Sequence, residues 1–159
     1  MIASWPLKEK YMLMKKYKDL DRVLLVDDEM STNFLHRKIV QTSNIDVDVK
    51  TISSAFEALE YLKLMYEDKE NQAEIKPGII FLDINMPGMN GWEFMKEYKK
   101  LDLYKRAKIV VIMLTTSLNP DDEELAAKDN EIVTFMHKPL TRESFSKIAS
   151  KYFELDSEG

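Results

Sequence analysis

The sequence predicts an α/β fold: one domain of five βα units whose strands form a five-stranded parallel sheet covered by helices on both faces. Two patterns predict it. Five short strand-like runs alternate along the chain with five segments whose apolar residues recur at helical spacing. The first, third and fourth runs are continuously apolar, as strands buried on both faces are. A third observation is chemical. Four of the five runs end in reactive or charged side chains: Asp27-Asp28, Asp83, Thr115 and Lys138.

The first strand is Val23-Leu24-Leu25-Val26, running into Asp27-Asp28. A helix follows over 31–41, with Ser31 or Thr32 as its cap and Leu35 and Ile39 facing inward. His36, in the middle of that helix, is expected to face solvent. The second strand is 47–52, β-branched and alternating with polar residues. The helix over 54–66 carries Ala55, Ala58, Leu59, Leu62 and Tyr66 on its inner stripe. A polar loop then ends in the turn residues Pro77-Gly78.

The third strand, 79–82, ends in Asp83 and leads into the loop Ile84-Asn85-Met86-Pro87-Gly88-Met89-Asn90-Gly91. The next helix presents Phe94, Met95, Tyr98 and Leu101. The fourth strand, 109–114, ends at Thr115-Thr116. Pro120 followed by four acids marks a helix start, with negative charge at the positive end of the helix dipole. That helix ends near Asp129-Asn130. The fifth strand, 132–136, runs into His137-Lys138-Pro139, and a last helix, 141–153, turns Phe145, Ile148, Ala149 and Tyr152 inward.

Composition narrows the chemistry. The chain has 159 residues, 45% of them hydrophobic, enough to bury a core without disulfides or a structural metal. It has no cysteine, which excludes thiolate metal sites, iron–sulfur clusters and cysteine nucleophiles. With only His36 and His137, a multi-histidine metal site is excluded too. The net charge of -5 argues against nucleic acid as a partner. No apolar run approaches a membrane span, and no secretory signal precedes the domain, so a cytoplasmic protein is expected. Charge is uneven: residues 1–22 sum to +3, leaving -8 on the rest. This divides the chain into a basic leader (1–20), a domain (21–155) and a short tail (156–159). The leader reads either as a frayed tail or as a short amphipathic helix built on Leu13, Tyr17 and Leu20.

In an open parallel sheet, ligands bind beyond the carboxyl ends of the strands, where the strand order reverses. If the loaded strands are neighbours, three carboxylates, a hydroxyl and an ammonium share one crevice. Three close carboxylates require compensation, from Lys138 and from a divalent cation. A hard all-oxygen site suits Mg²⁺. A carboxylate beside it can act as a nucleophile toward phosphorus, giving an acyl phosphate.

The pair Asp27-Asp28, the segment Asp83-x-Asn85-Met86-Pro87-Gly88-x-x-Gly91, Thr115 and Lys138-Pro139 fall in this order with βα spacing. From Arg22 to about Phe153 the chain resembles the receiver domain of bacterial two-component response regulators. That resemblance implies a flavodoxin-like, doubly wound sheet of strand order 2-1-3-4-5. It implies that Asp83 accepts a phosphoryl group from a histidine kinase or histidine phosphotransfer protein. It implies Mg²⁺, or Mn²⁺ in its place, on Asp28 and Asp83, with Asp27 acting largely through water and Asn85 through its carbonyl. Thr115 and Lys138 would contact the phosphoryl group, Phe135 takes the position of the switch aromatic, and the bond before Pro139 is usually cis. With few residues after Phe153, output is expected to pass through a downstream effector protein rather than through catalysis by an attached enzyme domain. The runner-up is a phosphohydrolase of the haloacid-dehalogenase type. Its second aspartate, two residues after the nucleophile, acts as acid and base, whereas Asn85 cannot carry a proton. A pseudo-receiver that binds without taking phosphate is the third reading, and the intact acidic trio speaks against it.

Overall fold

The computed structural model describes residues 14–67, 77–102, 109–116 and 119–157. Among these residues five strands and five helices alternate: β1 (Arg22–Val26), α1 (Met30–Gln41), β2 (Asp48–Ile52), α2 (Ala55–Glu67), β3 (Pro77–Asp83), α3 (Gly91–Tyr98), β4 (Val110–Thr115), α4 (Pro120–Lys128), β5 (Ile132–His137) and α5 (Arg142–Tyr152). All neighbouring strands are parallel, and the order is β2-β1-β3-β4-β5, as the resemblance implied. No helix among the described residues is long and apolar enough to cross a membrane.

Alternation along the strands divides the core into two layers. Leu24, Val26, Ile80, Leu82, Val111 and Met113 point to one face, beneath α2, α3 and α4. Val23, Leu25, Ile79, Phe81, Ile112 and Leu114 point to the other, beneath α1 and α5. Helix starts follow local chemistry. Asn90 and Thr141 close capping boxes on α3 and α5, and Asn119 caps α4 with Pro120 in its first turn.

Several expectations need correction. Helix α1 starts at Met30, and its N-cap, Glu29, makes no side-chain cap hydrogen bond, so neither Ser31 nor Thr32 is the cap. Its buried residues are Asn33, His36 and Val40, whereas Leu35 is exposed. The helix is rotated from the apolar face its sequence suggests, because its inner side lies over strand ends that offer polar backbone groups. His36 is therefore buried rather than solvent-facing. Pro77 and Gly78 belong to β3 rather than to a turn. A Cβ on Gly78 would lie 2.7 Å from the Asp19 carbonyl oxygen, so glycine permits the close passage of the preceding chain. The side chain of Tyr66, expected on the inner stripe of α2, lies outside the described residues.

The described part of the leader is neither helical nor frayed. Lys15 bridges Ile45 and Tyr17 bridges Leu155. Lys18 N–H donates to Glu154 (2.8 Å), and Asp156 N–H donates to Lys16 (2.7 Å). Tyr17 and Leu20 are buried in the layer beneath α1 and α5. Their spacing, read as helical, instead spans a turn at Lys18-Asp19, where Asp19 has φ 64°, in a segment that closes the end of the sheet opposite the acidic residues. Leu13 and the residues before it lie outside the described residues.

Leu20→Ala is expected to cost about 2–5 kcal/mol, the usual range for emptying a fully buried leucine site. Urea unfolding should show this as a lower midpoint at unchanged slope. A loss below about 0.5 kcal/mol would contradict a core role for this segment.

Candidate phosphoacceptor and metal site

Pairing of β1 with β3 sets Val26 beside Leu82, so the next residues, Asp27 and Asp83, emerge side by side. Both are buried, Asp27 4% exposed and Asp83 6%. Carboxylate oxygens of Asp27, Asp28 and Asp83 lie within 4.8 Å of one another, a geometry that can hold a metal ion. An all-oxygen, strongly negative donor set fits a hard divalent cation.

Lys138 reaches this cluster from the end of β5. Its Nζ is 2.5 Å from Asp27 Oδ2 and 3.2 Å from Asp83 Oδ1. Its backbone N–H donates to the Thr115 carbonyl at 2.8 Å, and the bond to Pro139 is cis. The other Asp27 oxygen accepts from the Glu29 N–H at 2.9 Å. Thr115, fully buried, closes β4 one position beyond the residue paired with Asp83. Asn85 is exposed, and its backbone N–H donates to the Asp83 carboxylate.

The loop after Asp83 folds back on its own strand. Gly91 N–H donates to the Ile84 carbonyl at 2.8 Å, and a Cβ at Gly91 would lie 2.9 Å from the Asp83 carbonyl oxygen. The glycine thus lets α3 start directly against the acidic strand end.

Electrostatics follow from crowding. Burial, and next the charge of Asp27, push the Asp83 carboxyl up from 3.8 to about 6, against the pull of Lys138 and the Asn85 N–H. Burial works against the Lys138 ammonium, but its hydrogen bond to Asp27 and the charges of both carboxylates outweigh that and raise its pKa.

Phe135 pairs with Met113 in β5 and packs, partly buried, against the layer beneath α4. Its ring meets His137 edge-on, centroids 5.8 Å apart, and His137 Nε2 lies 4.0 Å from Glu123 on α4.

All the residues expected at the site thus gather at one end of the sheet, with Phe135 set back along β5. Two neighbours escaped the sequence reading. Asn33 Nδ2 donates to the Asp27 carbonyl (2.8 Å) and to the Ile52 carbonyl (3.3 Å). His36 Nε2 accepts the Leu140 N–H at 3.2 Å. Burial, then the charge of Lys138, lower the His36 pKa, with Asp27 opposing. The signal available was the spacing Asn33–His36–Val40, a helical stripe masked by the apolar Phe34 and Leu35 beside it.

This sheet order with an acidic trio and a lysine at its carboxyl edge is the arrangement of a receiver-type signalling domain. The chain belongs to the response regulator receiver domain family, whose model matches residues 23–150. Members take phosphoryl groups from histidine kinases or phosphotransfer proteins. The chain is 33% identical over 100 residues to the response regulator Rcp1 of Synechocystis, covering 63% of this chain and 65% of that protein. It is 28% identical over 135 residues to the two-component response regulator ARR6 of Arabidopsis thaliana, covering 84% and 70% respectively. Among solved structures, a two-component response regulator from Cytophaga hutchinsonii superimposes with a TM-score of 0.75 at 31% identity, covering 84% of this chain and 96% of that one. The Mn(2+)-bound form of Rcp1 gives 0.62 at 27% identity, covering 82% and 90%.

The raised Asp83 pKa predicts a pH dependence. The folded state holds this proton more tightly than the unfolded chain. The associated stability is fully present below pH 3.8 and is lost as the pH rises through about 6. Without metal, Asp83→Asn should therefore be more stable than the parent at pH 7, by the order of 2 kcal/mol. The gain should vanish near pH 4. Paired melts in EDTA across this range test it, and an equal difference at both ends would refute the crowding.

Proposed function

We propose that the chain is a phosphorylation-dependent switch in which Asp83 accepts a phosphoryl group from a histidine kinase or histidine phosphotransfer protein, in a reaction requiring Mg²⁺ or Mn²⁺. The observation that carries this reading is the placement of Lys138 Nζ between the Asp27 and Asp83 carboxylates.

A carboxylate oxygen of Asp83 attacks phosphorus. The P–N bond of the donor phosphohistidine breaks, and its electron pair returns to the ring nitrogen, which takes a proton. The acceptor is left as an acyl phosphate. When bound, the divalent cation neutralises charge between the carboxylates and the phosphoryl oxygens. Asp28 and Asp83 would hold it through their carboxylates, with the Asn85 carbonyl beside them and Asp27 contributing through water. Lys138, already poised between the two acids, pairs its ammonium with a phosphoryl oxygen, and Thr115 offers its hydroxyl to another.

Signalling follows from that last contact. Thr115 moving toward the phosphoryl group vacates space that Phe135 can fill, which remodels the surface of α4, β5 and α5 for an effector protein. The modification shifts the two states by its different contacts in each.

Acetyl phosphate with Mg²⁺ should label the protein once, and Asp83→Asn should abolish the label. Full labelling of that variant would sink the assignment. Lys138→Ala should slow labelling about a hundredfold, the usual effect of removing one charge-stabilising group. Thr115→Ala should still accept the label but lose the NMR shifts that beryllofluoride induces at Phe135 and α4. Asp28→Ala should weaken metal binding more than Asp27→Ala, as titration calorimetry can show. The reverse order would exchange their roles.

A further inference from the structure

We propose that His36 is a positioning residue for Lys138, holding the turn Lys138-Pro139-Leu140 against the acidic crevice by accepting the Leu140 N–H; this rests on the phosphoacceptor reading above. A histidine only 2% exposed in the middle of a helix needs a bonding partner, and His36 Nε2 finds one in the Leu140 N–H of this turn. With Nε2 accepting, the ring proton sits on Nδ1 and the imidazole is neutral.

The need for this acceptor comes from the turn itself. The Lys138 N–H is the last backbone donor given to β4, through the Thr115 carbonyl. Pro139 has no N–H. The next donor is Leu140, whose side chain is buried beneath α1 and α5. An unpaired N–H in that place is costly. His36 accepts it, so the turn is pinned at both ends, by β4 at Lys138 and by α1 at Leu140. Between these pins the lysine stem has four flexible carbons, and its Nζ meets both carboxylates only when its Cα is fixed.

The same helix face holds the other member of the ion pair. Asn33, one turn before His36, donates to the carbonyl of Asp27. One rigid element therefore sets the spacing between the backbone carrying the acid and the backbone carrying the lysine. Direct contact of His36 with a phosphoryl group is not part of this role.

The test compares acetyl phosphate labelling rates at fixed Mg²⁺ for wild type, His36→Leu, His36→Asn and His36→Gln, each verified as folded. Glutamine can offer its oxygen near the position of Nε2; leucine and asparagine cannot. The Leu and Asn variants should be slowed about tenfold or more, as expected for a reacting group displaced by a fraction of an ångström. The Gln variant should stay within about threefold of wild type if geometry is restored. Combined with Lys138→Ala, His36→Leu should cause no further slowing, since its effect runs through the lysine. If the Leu variant does not fold, the Asn variant takes its place in both comparisons. Labelling at the wild-type rate without an acceptor, or equal slowing with and without Lys138, would overturn the proposal. Wild type that takes no label would instead defeat the phosphoacceptor reading. In that case amide hydrogen exchange decides the contact: Leu140 should exchange faster in the Leu and Asn variants but not in Gln, and unchanged exchange in all three would overturn it.

Discussion

Two carboxylates buried side by side at the end of a sheet repel each other in a medium that screens poorly. The rest of this structure is arranged around that repulsion. Asp27 and Asp83 adjoin because β1 and β3 are paired, and neither can move away without breaking the ladder. The cation beside them comes from Lys138, 111 residues beyond Asp27 along the chain. A buried pair of this kind contributes little net stability, because desolvation offsets much of the attraction. Its value lies elsewhere. The site stays charged, ordered and incompletely neutralised, which suits the divalent cation proposed for it.

That arrangement depends on functions being divided between the two ends of the sheet. At the carboxyl end, loops carry the acids, the hydroxyl and the lysine. At the other end, the leader and the segment after α5 bond to each other, and Tyr17 and Leu20 fill the layer beneath α1 and α5. Cohesion at one end leaves the other free to carry strained electrostatics. Helix α1 joins the two requirements. Val40 packs into the apolar layer, while Asn33 and His36 bind backbone groups beside the acids.

Much of this was legible in the residue order. The continuous apolar runs marked strands buried on both faces, and the loaded strand ends marked the crevice. Asp27, Asp28, Asp83, Thr115 and Lys138 could be named because each follows directly from its strand. Less legible was α1. Leu35 looks like a core residue, yet it is exposed, as is its neighbour Phe34 at 64%. Hydrophobicity ranks residues by their own transfer cost, and cannot register that the neighbouring strand ends require a donor and an acceptor. The leader misled for a similar reason. Spacing of three and four residues suggests a helix, but bridges to residues 45 and 155 tie the segment to the end of the sheet instead.

The sequence by itself determined the alternation of elements, the two-faced burial of the sheet and the inventory of charged groups at the strand ends. These are local properties, set by side-chain periodicity and by the residue that follows each strand. Only the tertiary structure decided which groups meet. Parallel pairing brought Asp27 beside Asp83, the turn after β5 brought Lys138 between them, and the rotation of α1 buried His36 against Leu140. Such contacts join residues far apart in the chain. Their energies exist only once the intervening backbone has been placed, so no local pattern encodes them.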